Sequence, residues 1–477
     1  MSIMISQRLR GDKMASRHSN HTLTSCGIFL ISWIRKIISG EPGLTKRMLQ
    51  KKIIEFLGLK KNILALLSMV ILVGLGEKMA ERFLPLYLMA LGGGAFSIGL
   101  LNGMDNLLSA LYSFPGGYAS DKLGYKRALL LFNLISMSGY VIVILFPYWQ
   151  AVLIGSIFFI SWTAISLPAT MDMVSKVLPK NKRTMGVSLH SLVRRIPMAL
   201  GPVIGGAMIG IFGETKGIRM AFIAALILAG VSLAMQHLMI DDERQKAAKE
   251  KSTALRGFSL ISAPLRKLLV SDILIRFCEQ IPYAFVVIWC VRVNNISPLQ
   301  FGLLTTIEMI TAMLVYIPVA YLADKTSKKP FVVTTFIFFT MFPLVLLFAS
   351  SFWIMVIAFI VRGLKEFGEP TRKALIMDLA PEDRKAATFG IYYLIRDVIV
   401  SIAAFGGALL WDASTMQYIV DKTGLGRSLL PFVQSAASPK ANFLVAFSFG
   451  LLGTIYFALF GRDLGHLTIT IKSKQKE

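Results

Sequence analysis

Apolar residues in this chain fall into runs of about twenty, separated by short polar turns. A run of that length crosses the hydrocarbon core of a bilayer as a helix. A membrane barrel would instead alternate polar and apolar positions over segments of about ten residues. The pattern predicts six spans at 62–91, 97–119, 127–146, 149–173, 184–212 and 218–240, and six more at 268–292, 298–323, 330–349, 352–378, 387–412 and 441–461. Residues 241–267 (DDERQKAAKEKSTALRGFSLISAPLRK) form the long, charged connection between the two groups and are the natural linker. Loop 413–440 is also long, and its Gly424, Gly426, Pro431 and Pro439 argue against a further regular helix throughout. The predicted class is all-α: a polytopic membrane protein with twelve transmembrane helices in two six-helix bundles, 62–240 and 268–461. A basic extension at 1–61 precedes them and a tail at 462–477 follows.

The two groups repeat one another. Gly99 to Arg127 reads GLLNGMDNLLSALYSFPGGYASDKLGYKR, and 203 positions later Gly302 to Pro330 reads GLLTTIEMITAMLVYIPVAYLADKTSKKP. Without a gap, Gly99 falls on Gly302, Asp105 on Glu308, Pro115 on Pro318, Tyr118 on Tyr321, Asp121 on Asp324 and Lys122 on Lys325. At 202 positions Pro168, Pro179 and Arg194 fall on Pro370, Pro381 and Arg396. Chance pairs apolar residues readily, but it does not keep Pro, Asp, Lys and Arg in register. Internal repeats of this kind are typical of secondary transporters.

Composition adds topology. Hydrophobic residues make up 55% of the 477 and charged residues only 16%. A net charge of +24 would suggest a nucleic-acid partner in a soluble protein. Here the basic residues sit in alternate loops. Loops 121–127, 174–183, 241–267, 324–330 and 379–386 hold 19 Lys and Arg, whereas the intervening loops hold 6. The positive-inside rule places the first set and both termini in the cytoplasm of a cell-membrane protein, with no nucleic acid expected. Residues 1–61 agree, with 12 Lys and Arg. Within them Ile28 to Ile34 is too short to span and carries no cleavage motif. It reads either as an interfacial helix or as part of an extension ahead of an alternative start at Met48. Cys26, Cys278 and Cys290 are too scattered for a disulfide framework or a metal cluster. No GxxxxGK[ST] segment, His-carboxylate cluster or Ser-centred elbow stands out, so neither an enzyme nor a bound cofactor is expected.

The turn Gly117-Tyr-Ala-Ser-Asp121-Lys122-Leu-Gly124-Tyr-Lys126-Arg127 resembles the signature between spans two and three of the major facilitator superfamily, with Lys122 where Arg is usual. The second copy keeps Asp324, Lys325, Lys328 and Lys329 and loses both glycines. The resemblance covers nearly all of 62–461 and implies two six-helix halves working by alternating access, with this turn a cytoplasmic gate latch. Physically, Gly117 permits close helix approach, Gly124 a tight reversal, and Asp121 can pair with basic neighbours or cap a helix. Gly201-Pro202-Val-Ile-Gly205-Gly206 in span five is similar to the core of a motif of drug–proton antiporters, and such a segment also packs closely and kinks. Glu81-Arg82-Phe83 resembles the first-span motif of proton-coupled peptide transporters, with Lys78 where that motif has its earlier glutamate.

Charge inside a membrane needs a partner or a wet cavity. It concentrates in span one (Glu77, Lys78, Glu81, Arg82), span four (Asp172), span seven (Arg276, Glu279) and span ten (Arg362, Lys365, Glu366, Glu369). These are the first helices of each three-helix unit, and the resemblance implies that they line the central cavity. Glu77 and Glu81 lie one turn apart and cannot both ionise cheaply at low dielectric, which suits a proton carrier. Lys78, Arg82 or Arg276 could instead neutralise them. Arg362–Glu366 and Lys365–Glu369 have helix-pair spacing, and Arg362 lies about 15 Å from the outer end, so either a local ion ladder or a contact to an anionic substrate is expected. Arg194 and Arg195 fall at mid-depth in span five, matched by Arg396 and Asp397 in span eleven, with His190 one turn earlier. Asp105 and Glu308 are expected to be partners between the halves or in the outer gate.

Together these observations predict a secondary transporter that works as a monomer on a small molecule in the bilayer, driven by a proton gradient. Glu77 and Glu81 are the coupling candidates. Arg82, Arg194, Arg195, Arg276, Glu279, Arg362, Glu366, Glu369 and Arg396 are the cavity candidates. The glycine–proline segment favours antiport of small organic compounds or drugs. The cavity arginines favour the alternative, symport of an anionic or zwitterionic metabolite.

Overall fold

The computed structural model describes residues 61–159, 193–240, 261–323, 327–381, 385–424 and 426–461, together with positions 162, 166, 170, 173 and 190. Every regular element among them is helical. The first half contains α1 (Lys61–Glu81), α2 (Leu84–Ala90), α3 (Gly94–Leu123), α4 (Tyr125–Leu145), α5 (Trp149–Phe159), α6 (Arg195–Phe212) and α7 (Glu214–Met239). The second contains α8 (Ala263–Tyr283), α9 (Val286–Ile288) running into a π-helical turn at Trp289–Val293, α10 (Pro298–Ala323), α11 (Lys329–Leu347), α12 (Phe352–Leu364), α13 (Glu369–Leu379) and α14 (Lys385–Trp411). It closes with α15 (Ser414–Thr423), α16 (Leu430–Ala436) and α17 (Pro439–Phe460). Among the described residues eight helices are long and apolar enough to cross a membrane, or nine if the bent pair Ala263–Tyr283 and Val286–Val293 is one span.

Helix ends follow local chemistry. Gly124 (φ 81°) and Gly213 (φ 79°) hold left-handed backbone that any side chain would strain, and they turn the chain from α3 into α4 and from α6 into α7. The Ser262 hydroxyl accepts from the Leu265 amide, so α8 starts at Ala263, five residues before the predicted span. Loop 413–440 is not one helix. Gly424 and Gly426, both at positive φ, separate α15 from a 3-10 turn and α16.

Three predicted spans are broken rather than continuous, and the breaks organise the site. Span one stops at Arg82–Phe83, where the Phe83 amide tightens onto the Ala80 carbonyl and Pro85 has no amide to continue the ladder. Span seven stops at the matching place, where the Phe285 amide bonds the Pro282 carbonyl. Span ten stops between α12 and α13, where Lys365, Glu366 and Phe367 each bond three residues back and Pro370 opens the next helix. Non-helical backbone at membrane depth is tolerated where it is buried in protein or lines a cavity.

The halves meet along two seams that the repeat exchanges: α6 packs on α10, and α3 on α14. Small residues set both. A Cβ on Gly206 would strike the Pro298 carbonyl oxygen, and one on Gly302 the Pro202 carbonyl oxygen. On the other seam Gly99 lies against Ala408, and Gly103 against the Ser401 carbonyl. Phe96 packs edge-on to Phe405, and Phe83 to Phe301. These contacts lie toward the face with few basic residues, called outer here. Among the described residues the two seams are therefore closed from mid-depth outward.

Candidate functional site

The breaks in spans one and seven face one cleft between the halves. Arg82, at the end of α1, donates from Nη1 to the Tyr283 hydroxyl at 3.0 Å, and its guanidinium lies 5.3 Å from the Tyr283 ring centre. Asp105, Asn102, Glu81, Phe301 and Arg362 line the same cleft, which encloses about 500 Å³ of space, part of it open. Asn102 and Asn106 reach across the halves to the Gln280 carbonyl and side chain at 3.0 and 3.3 Å.

A smaller cavity lies about one turn earlier along α1. Glu77, Lys78, His190, Arg194 and Trp162 line it. Lys78 joins the two clefts by bonding Glu77 Oε1 at 3.0 Å and also Glu81 Oε2. Glu77 is 3% exposed, and its Oε2 has no hydrogen-bond partner among the described residues. The predicted coupling pair thus shares one ammonium, although the two carboxylates face different clefts.

The other predicted cavity charges are paired, mostly with partners their sequence spacing did not indicate. Arg362 Nε lies 3.3 Å from Glu308, and its guanidinium sits over Phe342. Lys365 bonds Glu279 at 2.8 Å, and Arg276 bonds the other oxygen of Glu279 at 2.5 Å. Glu366 takes Arg195, from the opposite half, at 3.0 Å. Glu369 receives Arg372 through Nη2 at 2.7 Å and Nε at 3.0 Å. The expected ladder Arg362–Glu366 and Lys365–Glu369 does not form, because the break at 365–368 takes these side chains out of helical register. Among the described residues Glu308 pairs within its own half and Asp105 receives only Ser109, at 3.5 Å, so the two do not pair between the halves there. Arg396 bonds Asp397 at 2.7 Å and reaches Asp272 at 3.5 Å.

Sequence reasoning missed Tyr283, Asp272, Arg372 and Tyr392. Arg372 and Asp272, each 1% exposed, are ion-paired, and the Tyr392 hydroxyl donates to Asp272 at 3.0 Å. Asp272 and Arg372 carry the same signal that exposed Glu279 and Glu369, a charge within a predicted span, but each stands nearer a span end. Tyr283 carries no charge, and only the adjacent Pro282 hints at a break there.

The glycine–proline segment of α6 packs on α1. Side chains at Gly201 and Gly205 would collide with Lys78 and with the Met79 carbonyl. In the predicted gate turn, Gly117 and Asp121 lie in the last two turns of α3 and Gly124 makes the reversal. Lys122 lies 5.8 Å from the Tyr118 ring centre, and Lys126 bonds the His237 carbonyl at 3.1 Å, while Arg127 lies in the first turn of α4. Asp324, Lys325 and Asp172 lie outside the described residues, as do 1–60 and 462–477. In the second copy Lys328 pairs with Asp378.

The family model described as Major Facilitator Superfamily matches residues 66–291 and again 268–473. An uncharacterised MFS-type transporter of Methanocaldococcus jannaschii is 21% identical over 75% of this chain and 90% of its own length. The quinolone resistance protein NorA of Staphylococcus aureus is 25% identical over 64% of this chain and 78% of its own. Among solved structures, the nucleoside transporter NupG superposes with a TM-score of 0.66 at 12% identity, covering 84% of this chain and all of that one. A bacterial homolog of the human lysosomal transporter Spinster, inward-facing and occupied, superposes with a TM-score of 0.63 at 16% identity, covering 84% and 96%. At these identities the superpositions bear on fold alone.

Proposed function

The chain belongs to the Major Facilitator Superfamily, so it is a multi-pass membrane transporter, and on that premise we propose that it exports small organic compounds in exchange for protons by alternating access. The observation that carries this reading is the buried Glu77–Lys78–Glu81 trio. One ammonium faces two carboxylates, so the trio holds one excess negative charge while both are ionised. A single proton makes it neutral, and a charge change of one unit in a low-dielectric site is a large electrostatic event. Glu77 Oε2, without a hydrogen-bond partner among the described residues, offers the proton a place to bind.

Helix α6 links that event to the halves. Its Gly201 and Gly205 rest on Lys78 and Met79, while Gly206 rests on Pro298 of the other half. Close backbone packing transmits displacement, because packed interfaces switch between arrangements rather than stretch. A shift of α1 on protonation therefore reaches the seam through one rigid element. The export direction draws on the likeness to NorA and on the glycine–proline segment.

The test is proton release from purified protein on adding small organic compounds, cationic, zwitterionic and lipophilic, with Glu77→Gln and Glu81→Gln alongside, followed by protonophore-sensitive transport in proteoliposomes. Release that vanishes in one of the two variants is expected. Release unchanged in both removes the trio from coupling. The second reading, proton-coupled uptake of an anionic or zwitterionic compound, is favoured by Arg82, which has no carboxylate partner among the described residues. Accumulation inside right-side-out vesicles under an inward proton gradient would select it.

A further inference from the structure

Among the described residues most charges deep in this protein meet an opposite charge at contact range. Lys78 answers Glu77 and Glu81, and Arg362 answers Glu308. Arg276 and Lys365 share Glu279, and Arg195 meets Glu366. Two groups stand apart. Arg82 has only the Tyr283 hydroxyl and ring, with no carboxylate in ion-pair range among the described residues. Asp105 has only Ser109, with no cation in ion-pair range among them. Both line the same cleft, and no ion pair joins them. Tyr283 accepts from Arg82, and its own hydroxyl proton has no acceptor among the described residues.

Unpaired charge in a membrane interior is costly, and two opposite charges left apart in one cleft forgo the contact ion pairs that their neighbours make. We propose that this cleft binds a dipolar organic molecule, its anionic group held by Arg82 and Tyr283 and its cationic amine by Asp105. A carboxylate meets the guanidinium with its remaining donors and also the phenolic proton. The amine supplies the charge that Asp105 lacks. Between the two ends Leu101, Pro85 and Phe301 present apolar surface, which suits an aromatic or alicyclic body. A singly charged ligand would leave one of the two groups desolvated and unmatched, so the cleft selects against both mono-ions. This assignment rests on reading the chain as a transporter of small organic compounds, in either direction.

The experiment measures equilibrium binding to the full chain in detergent at one fixed neutral pH, so no proton gradient enters the readout. The probes are 4-(2-aminoethyl)benzoic acid and 4'-(aminomethyl)biphenyl-4-carboxylic acid, each in three forms: the zwitterion, the methyl ester as cation and the N-acetyl derivative as anion. The wild type should bind at least one zwitterion roughly tenfold or more tighter than both of its blocked forms, a gap of about 1.4 kcal/mol. Asp105→Asn should remove the preference over the N-acetyl anion, and Arg82→Gln the preference over the ester. Arg82→Lys should keep the order at weaker affinity. A wild type that binds no zwitterion better than its blocked forms overturns the proposal. So does a pair of correctly folded variants that lose all three forms alike. If zwitterion selectivity holds while proton release fails, the proposed coupling falls and this site stands; the reverse result sinks this site alone.

Discussion

The outer seam predicts what a single methyl group does at Gly206. A Cβ there would meet the Pro298 carbonyl oxygen at collision distance, the Pro298 carbonyl carbon at 2.7 Å and the Leu299 Cα at 2.9 Å. All three are backbone atoms, so no side chain can swing aside to make room. Gly206→Ala therefore forces α6 and α10 apart at the outer end. Overpacking of this kind costs about 1–3 kcal/mol. The cost falls only on arrangements in which the seam is shut, because opening the outer side separates these helices. The balance between outward-open and outward-closed states should move toward open by roughly 5- to 150-fold. Spin labels at Lys216→Cys and Val293→Cys, two exposed positions on opposite sides of the seam, report that opening by pulsed EPR in nanodiscs. Cys278 and Cys290 are buried and can stay, and Cys26 is replaced by Ser. Gly206→Ala should raise the long-distance population. Gly302→Ala, which meets the Pro202 carbonyl on the same seam, should do likewise. Gly210 on the same helix has open space around its Cβ position, so Gly210→Ala is the control that leaves the distribution alone. Equal distributions for Gly206→Ala and Gly210→Ala would refute the argument that the seam is limited by backbone contact.

Two further outcomes follow from the ion pairs. Arg372→Met should lower stability by about 3–5 kcal/mol in an SDS-titrated unfolding assay, because Asp272 and Glu369 both lose their nearest guanidinium partner in a buried site; an unchanged midpoint would count against that role. Glu214→Gln removes the partner of the half-exposed Arg292 across the outer seam, so its effect on the same spin-label distances should stay below about 1 kcal/mol. Raising salt toward about 1 M should abolish the difference from wild type, since screening reaches exposed pairs.

Much of this was legible in one dimension. Spans follow from apolar length, the two halves from the register of Pro, Asp and Arg at 202–203 positions, and the reversal at Gly124 from its place in the turn. The depth of charge in spans one, seven and ten also follows, because a helix advances by a fixed rise and position along it is position in the membrane. These features are decided within one helix or between two copies of one pattern.

Who pairs with whom is decided elsewhere. Spacing alone matched Arg362 with Glu366 and Lys365 with Glu369, whereas the folded chain gives them to Glu308, Arg195, Glu279 and Arg372. The cause is the break at 365–368, which ends the register on which the spacing rule depends. Asp105 and Glu308 occupy equivalent places in the repeat, yet among the described residues only Glu308 finds a cation, because span ten sets Arg362 beside it. Sequence by itself determined the spans, the two-fold repeat and which charges enter the membrane, because helix length and hydrophobic transfer act locally. Only the tertiary structure decided which of those charges cancel and which, Arg82 and Asp105, are left facing one cleft, because electrostatic pairing depends on distances between helices that the order of residues does not contain.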